Sequence, residues 1–253
     1  MDKEFIKDLV ENKSEKIELK KAEVKLCKGG LTDTIAPKTE LKGLYSNSEN
    51  KLERTIIGNT YLWMDSHDDV HAKGCFSKSI KERGNKIFHL HDHKFERTAK
   101  VGNPIKVYES DLEWKELGLN KVGTTEALHM DTEILKGYNS LIFEEYKNDM
   151  VDQHSVGMQY VKIDLAVNDD SYEEEYKLWQ DNIEKLGNPE RAEERGFFWL
   201  VREAKLIEIS AVLLGSNELT PTRGKDKNQA EKSLDEDEAD VKSLQKFVEL
   251  IKI

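Results

Sequence analysis

The stretch FHLHDHKF, residues 88–95, places His89, His91 and His93 at alternating positions, three of the seven histidines in the chain. Alternation is the strand period, so an extended chain carries all three rings on one face. Two chemistries suit such a row. An H-x-H pair on a strand supplies two zinc ligands, and a single imidazole serves as a general base near neutral pH. The metal pattern is incomplete. Asp92 points to the opposite face of a regular strand, and DSHDDVH (65–71) adds histidine and aspartate only in an expected loop. There is no H-E-x-x-H and no cysteine pair at ligand spacing. A zinc-dependent hydrolase using His89, His91 and His93 is kept as an alternative.

A base needs something to deprotonate. Ser155 stands in DQHSVGMQY, where a helix candidate gives way to a strongly strand-like run. A hydroxyl near a glycine at the start of an apolar strand has no evident packing role. Serine becomes a nucleophile when a base takes its proton, and a third polar group then fixes the tautomer of that base. Glu208, in KLIEISAVLLG, is the candidate for the third place, because a carboxylate among Leu206, Ile207 and Ile209 is costly to bury without a partner. Asp92 and Glu203 are its competitors. His154 should point away from the side of Ser155 and is read as a bystander.

These residues need elements to hold them. Residues 2–13 read as a short helix with Phe5, Ile6, Leu9 and Val10 on one side. Strand-like text follows from Lys16, with Ile17 and Leu19, then Val24 and Leu26. RTIIGNTYLWM, KIFHLHDH, KVGNPIKVYES and HSVGMQYVKIDLAV read as strands. GCFSKSIKERG reads as a helix closed by Gly84, and GYNSLIFEEYKNDMV as another helix. Tyr172, Tyr176, Trp179, Ile183 and Leu186, spaced by fours and threes, define an amphipathic helix. FFWLVREAKLIEISAVLLG reads as a pair of strands.

The expected organisation is an N-terminal helix or arm (1–14), a core domain (15–222), an acidic disordered linker (223–240) and a short amphipathic helix (241–253). Residues 167–196 look like an insertion. The net charge of −11 disfavours nucleic-acid binding and docking to anionic membranes. No run approaches the roughly 20 apolar residues of a spanning helix. The charged start has no signal-peptide core. Two cysteines in such a chain are expected reduced, in a cytoplasm.

The ordered set KGCFSKSIKER, IFHLHDH, VGNPIKVYE, GL, DQHSVGMQYV and KLIEISAVLLGSNELTP, from about Lys73 to Pro221, resembles the prohead (capsid-maturation) serine proteases of tailed phages. That resemblance implies an α+β, β-rich fold, a mostly antiparallel β-barrel wrapped by a few helices, shared with herpesvirus assemblins. It implies His91 as base, Ser155 as nucleophile and Glu208 as third member, with His89 and His93 as helpers or bystanders. It further implies no cofactor, scaffold or major capsid protein as substrate, self-cleavage, a homodimer as one state, and a place inside the assembling procapsid in the host cytoplasm. The family's last motif continues into Pro-Ala-Asn. Here LLGSNEL stands instead, leaving Gly215, Ser216 and Asn217 as candidate oxyanion donors. A degenerate, non-catalytic scaffold of the same fold is a second alternative.

Overall fold

Two long strands form the spine. β8 (His154–Val167) and β9 (Phe197–Ala211) run antiparallel over almost their whole length. Both are rich in β-branched and aromatic residues, which suit a pleated, buried surface. The segment expected to be a pair of strands is therefore one uninterrupted strand: Glu203, Ala204 and Lys205 contain no turn residue and stay paired with β8, which absorbs a register shift between Tyr160 and Lys162.

The computed structural model describes residues 3–22, 24–26 and 43–223. The remaining strands are β1 (Lys25–Leu26), β2 (Tyr45–Asn47), β3 (Lys51–Thr60), β4 (Asp69–His71), β5 (Phe88–His91), β6 (Lys100–Glu113) and β7 (Thr124–Leu135). The sheet order is β1-β8-β9-β5-β6-β7-β3-β2, with β4 beside β9. All pairings are antiparallel except β4 and β5 against β9. The fold is thus α+β, strand-rich and mostly antiparallel.

The expected barrel is not borne out as a closed one. Among the described residues the hydrogen-bonded order ends at β1 and at β2, so the mixed sheet is open. It nevertheless curls until β3 faces β9. A Cβ on Gly58 would come within 2.7 Å of the Ile209 side chain, so only glycine lets the two strands approach there. Ile56, Leu128, Met130, Val156, Leu206 and Ile209 fill the space enclosed.

Six α-helices occur among the described residues: α1 (Lys3–Glu11), α2 (Lys13–Ala22), α3 (Ser77–Arg83), α4 (Ser140–Lys147), α5 (Glu173–Asn182) and α6 (Pro189–Arg195). α1 buries Ile6 and Leu9 as its periodicity requires. α2 replaces the strand expected from Ile17 and Leu19. Lys, Glu, Leu and Ala dominate KSEKIELKKA and favour helix, and Glu15 in its first turn and Lys20 and Lys21 in its last complement the helix dipole. Two alternating apolar residues are too few to override that.

Lys20 and Lys25 close on the buried Asp69, at 2.9 and 2.5 Å, and fasten α2 and β1 to β4. Burial alone would raise the Asp69 pKa; the two ammonium groups outweigh it and hold the carboxyl well below the usual range. Within 167–196, α5 buries Trp179 against Phe198, and Leu186 is fully buried in the same cluster. The expected linker and terminal helix lie, but for Arg223, outside the described residues.

Candidate functional site

Strand register sorts the candidate residues onto two faces. Ser155 stands opposite Ser210, and Gly157 opposite Glu208. β5 lies on the other side of β9, with Phe88 beside Glu208, Leu90 beside Ser210 and His91 beside Ala211. Paired residues share a face and neighbours along a strand alternate. Ser155, Gly157, Glu208, Ser210, Phe88 and Leu90 therefore share one face. His154, Val156, Ile209, Ala211, His89 and His91 belong to the other.

On the first face Glu208 is fully buried. One carboxylate oxygen takes His93 Nδ1 at 2.6 Å, and the other accepts the Ser210 hydroxyl at 2.5 Å. The backbone N–H of His93 donates to Ser210 Oγ at 3.1 Å. A Cβ on residue 157 would overlap Glu208 Oε1. Gly157 is therefore what gives the carboxylate its place, and the Ser-Val-Gly spacing has a steric reason.

The histidine facing Glu208 is His93, not His91. β5 ends at His91. Asp92 and His93 follow with φ of +53° and +55°, and the Lys94 N–H donates to the His91 carbonyl at 3.2 Å. Two left-handed central residues inside an i to i+3 bond make a type I′ turn. The strand alternation that would give the three histidines one face stops at the first of those residues, and the turn carries the His93 ring over the end of β5 onto Glu208. His91 instead lines a groove with Asp92, Leu141, Ile142 and Ala211, its Nδ1 3.4 Å from Asp92. Asp92 also pairs with Lys94 at 3.2 Å. Glu203, the other competitor, binds Lys78 and Lys162.

The second face holds a closed chain of neutral groups. His154 Nδ1 can only donate to the Thr220 carbonyl, at 2.7 Å. Its Nε2 must then accept from Tyr146 Oη, at 2.8 Å. Tyr146 in turn accepts from His89 Nε2 at 3.1 Å, leaving His89 Nδ1 to accept from Thr132 Oγ1 at 3.0 Å. Every ring nitrogen is satisfied with both histidines neutral. Burial holds the His89 pKa down to about 3, with the charge of His154 adding to it. Burial likewise holds His154 down to about 4.

His93 differs in one atom. Its Nδ1 is held by Glu208, but its buried Nε2 has no hydrogen-bond partner. Ser155, 3% exposed, sits on the same face across the β8–β9 pair from Ser210. Directly opposed side chains there lie about 5 Å apart at Cβ. Ser155 and the Glu208–His93 pair thus share one face, and His91 lies off it.

The zinc alternative meets a geometric obstacle, because His89 points inward, His91 into the groove and His93 onto Glu208. Among the described residues no group of three or more His, Cys, Asp or Glu is placed to hold a metal ion. Of the candidate oxyanion donors, Asn217 Nδ2 is held by Asn59 Oδ1 at 3.0 Å and the Thr60 carbonyl at 2.7 Å. Its side chain is a brace for the loop. Gly215 packs against the carbonyl of His154, next to Ser155, where a Cβ would come within 2.7 Å. Sequence reasoning missed His93, Ser210 and Gly157. The glycine two positions after the serine was the signal available for the last.

No helix among the described residues is long and apolar enough to cross a membrane. No family model, curated protein or solved structure matches this chain.

Proposed function

We propose that the chain is a serine endopeptidase whose reacting groups are Ser155, His93 and Glu208. The observation that carries this reading is the His93–Glu208 pair at 2.6 Å, fully buried, with Nε2 left unpartnered on the face that presents Ser155. A carboxylate on Nδ1 fixes the tautomer in which Nε2 is a bare acceptor. Nε2 takes the Ser155 proton, Ser155 Oγ bonds to the peptide carbonyl carbon, and Glu208 stabilises the imidazolium that forms. His93 then returns the proton to the leaving amine, and water releases the acyl group by the same route. Ser210 keeps the carboxylate in the orientation His93 requires, holding its second oxygen and the His93 backbone at once.

The resemblance to prohead proteases suggests the setting: cleavage of scaffold, or of the scaffold-like segment of a major capsid protein, inside an assembling procapsid, with self-cleavage as an accompaniment. The open curled sheet supports the kinship to assemblin-like barrels only at the level of a strand-rich α+β fold. The test is co-expression with a tailed-phage major capsid protein that carries a scaffold-like N-terminal segment, followed by mass measurement of the capsid-protein termini. New termini that vanish with Ser155→Ala support the reading. Full-length capsid protein alongside a folded, unreactive chain would favour the non-catalytic scaffold instead.

A further inference from the structure

On the face shared by Ser155 and Glu208, the sheet continues across β9 onto β5, and there it becomes apolar. Leu90 lies beside Ser210 and Phe88 beside Glu208. Lys100 of β6 lies beside Leu90 in turn. Together with Phe95, Glu96 and Arg97 they enclose a cavity of about 230 Å³. Its floor, Leu90, is buried, while Phe88 and Phe95 are 48% and 55% exposed. Two half-exposed phenylalanines flanking a leucine floor leave apolar surface for something else to cover. The Lys100 stem is a fixed wall, because its ammonium is held by Asn103 Oδ1 at 2.8 Å and Tyr138 Oη at 3.1 Å.

The cavity opens on the sheet face that carries Ser155 and Glu208. The row Leu90–Ser210–Ser155 crosses three adjacent strands on one face, and strands are spaced by about 4.8 Å. The pocket floor therefore lies about 10 Å from Ser155. An extended peptide advances about 3.4 Å per residue, so that distance is close to three residues. The larger groove lined by His91, Val151 and Leu213 starts from the His91 and Ala211 positions, which belong to the opposite face of the same strands.

We propose that Phe88, Leu90 and Phe95 form a specificity pocket for a large apolar side chain, Leu, Ile, Met or Phe, two to three residues from the scissile bond of an extended peptide. This rests on the serine-endopeptidase reading and adds the substrate class.

The test uses the purified full chain and a proteome-derived peptide library, with cleavage products read by mass spectrometry, beside fluorophosphonate labelling of Ser155. The expected result is enrichment of large apolar residues two or three positions from the cut. For a matched peptide pair with Leu or Ala at that position, the kcat/KM ratio should be roughly 10–100 in favour of Leu. In Phe88→Ala and Phe95→Ala the ratio should shrink severalfold, chiefly through KM. Cleavage with Ser155 labelled but no apolar enrichment, or a ratio unmoved by both substitutions, overturns the pocket and leaves the protease reading intact. No cleavage and no labelling overturns both.

Discussion

The two faces of the β5–β9–β8 ribbon carry histidines of opposite character, separated by the thickness of one strand. On the inner face His89 and His154 have both nitrogens satisfied through Thr132, Tyr146 and Thr220. On the outer face His93 has one nitrogen on Glu208 and the other without a partner. Burial is similar on both, since all three rings are almost completely enclosed. The difference lies in the unfilled valence. A buried histidine with every valence filled holds strands together, whereas one with a carboxylate behind it and a bare nitrogen in front has an acceptor left over.

The sharpest way to break that contrast is to remove the group the bare nitrogen would serve. Ser155→Ala should reduce peptide cleavage by roughly 10⁴-fold or more and abolish fluorophosphonate labelling while leaving the circular dichroism spectrum unchanged. Cleavage at the wild-type rate would remove Ser155 from the mechanism.

Next comes the choice between histidines. His93→Ala should lose activity on a similar scale, roughly 10⁴-fold, whereas His91→Ala should stay within about tenfold. The reverse ranking would mean that the turn at Asp92 and His93 rearranges with substrate, and His91 would regain the role of base.

Glu208→Gln keeps the shape of the acid but removes its charge, and should slow cleavage by roughly 10²- to 10⁴-fold. Gly157→Ala should do nearly as much without touching any polar group, by pushing Glu208 off His93, and should cost about 1–3 kcal/mol in urea unfolding. A fully active Gly157→Ala would show that Glu208 has other room to occupy.

The smallest effect belongs to the inner face and concerns stability. The pKa of His154 falls from 6.5 unfolded to about 4 folded, and that of His89 to about 3. The unfolded chain therefore binds protons that the folded chain refuses. Stability is complete above about pH 6.5 and falls as pH drops toward 4, with His154 contributing on the order of 3 kcal/mol of that slope. Urea midpoints between pH 7 and pH 4 should fall less steeply in His154→Gln than in the wild type. Equal slopes would show that His154 titrates as an exposed histidine does.

The two faces were not equally legible in the sequence. Ser155 and Glu208 were legible as buried polar positions, because each is a polar residue set in an apolar strand. His93 was not, because period-two alternation is evidence of facing only while the strand lasts, and FHLHDHKF gives no local mark that extension ends at His91. The α+β, strand-rich character follows from the periodicities, but barrel closure depends on which edges pair, which patterning does not encode. Helix α2 and the unbroken β9 were missed for related reasons. A brief alternation outvoted helix propensity in the first, and in the second the polar Arg202, Glu203 and Lys205 interrupt the apolar run while tertiary pairing with β8 carries the strand through.

The turn that delivers His93 sets folding against function at a single position. A left-handed residue with a bulky side chain costs on the order of 1 kcal/mol, a penalty glycine escapes. A library randomised at residues 93 and 208 together, so that no carboxylate is left buried without a partner, and selected only for thermal resistance should drift toward glycine or asparagine at residue 93. Selected for cleavage, it should retain histidine alone there. The imidazole at that place is thus kept against the grain of its own backbone, and the gap between the two selections would measure how strongly activity has held it there.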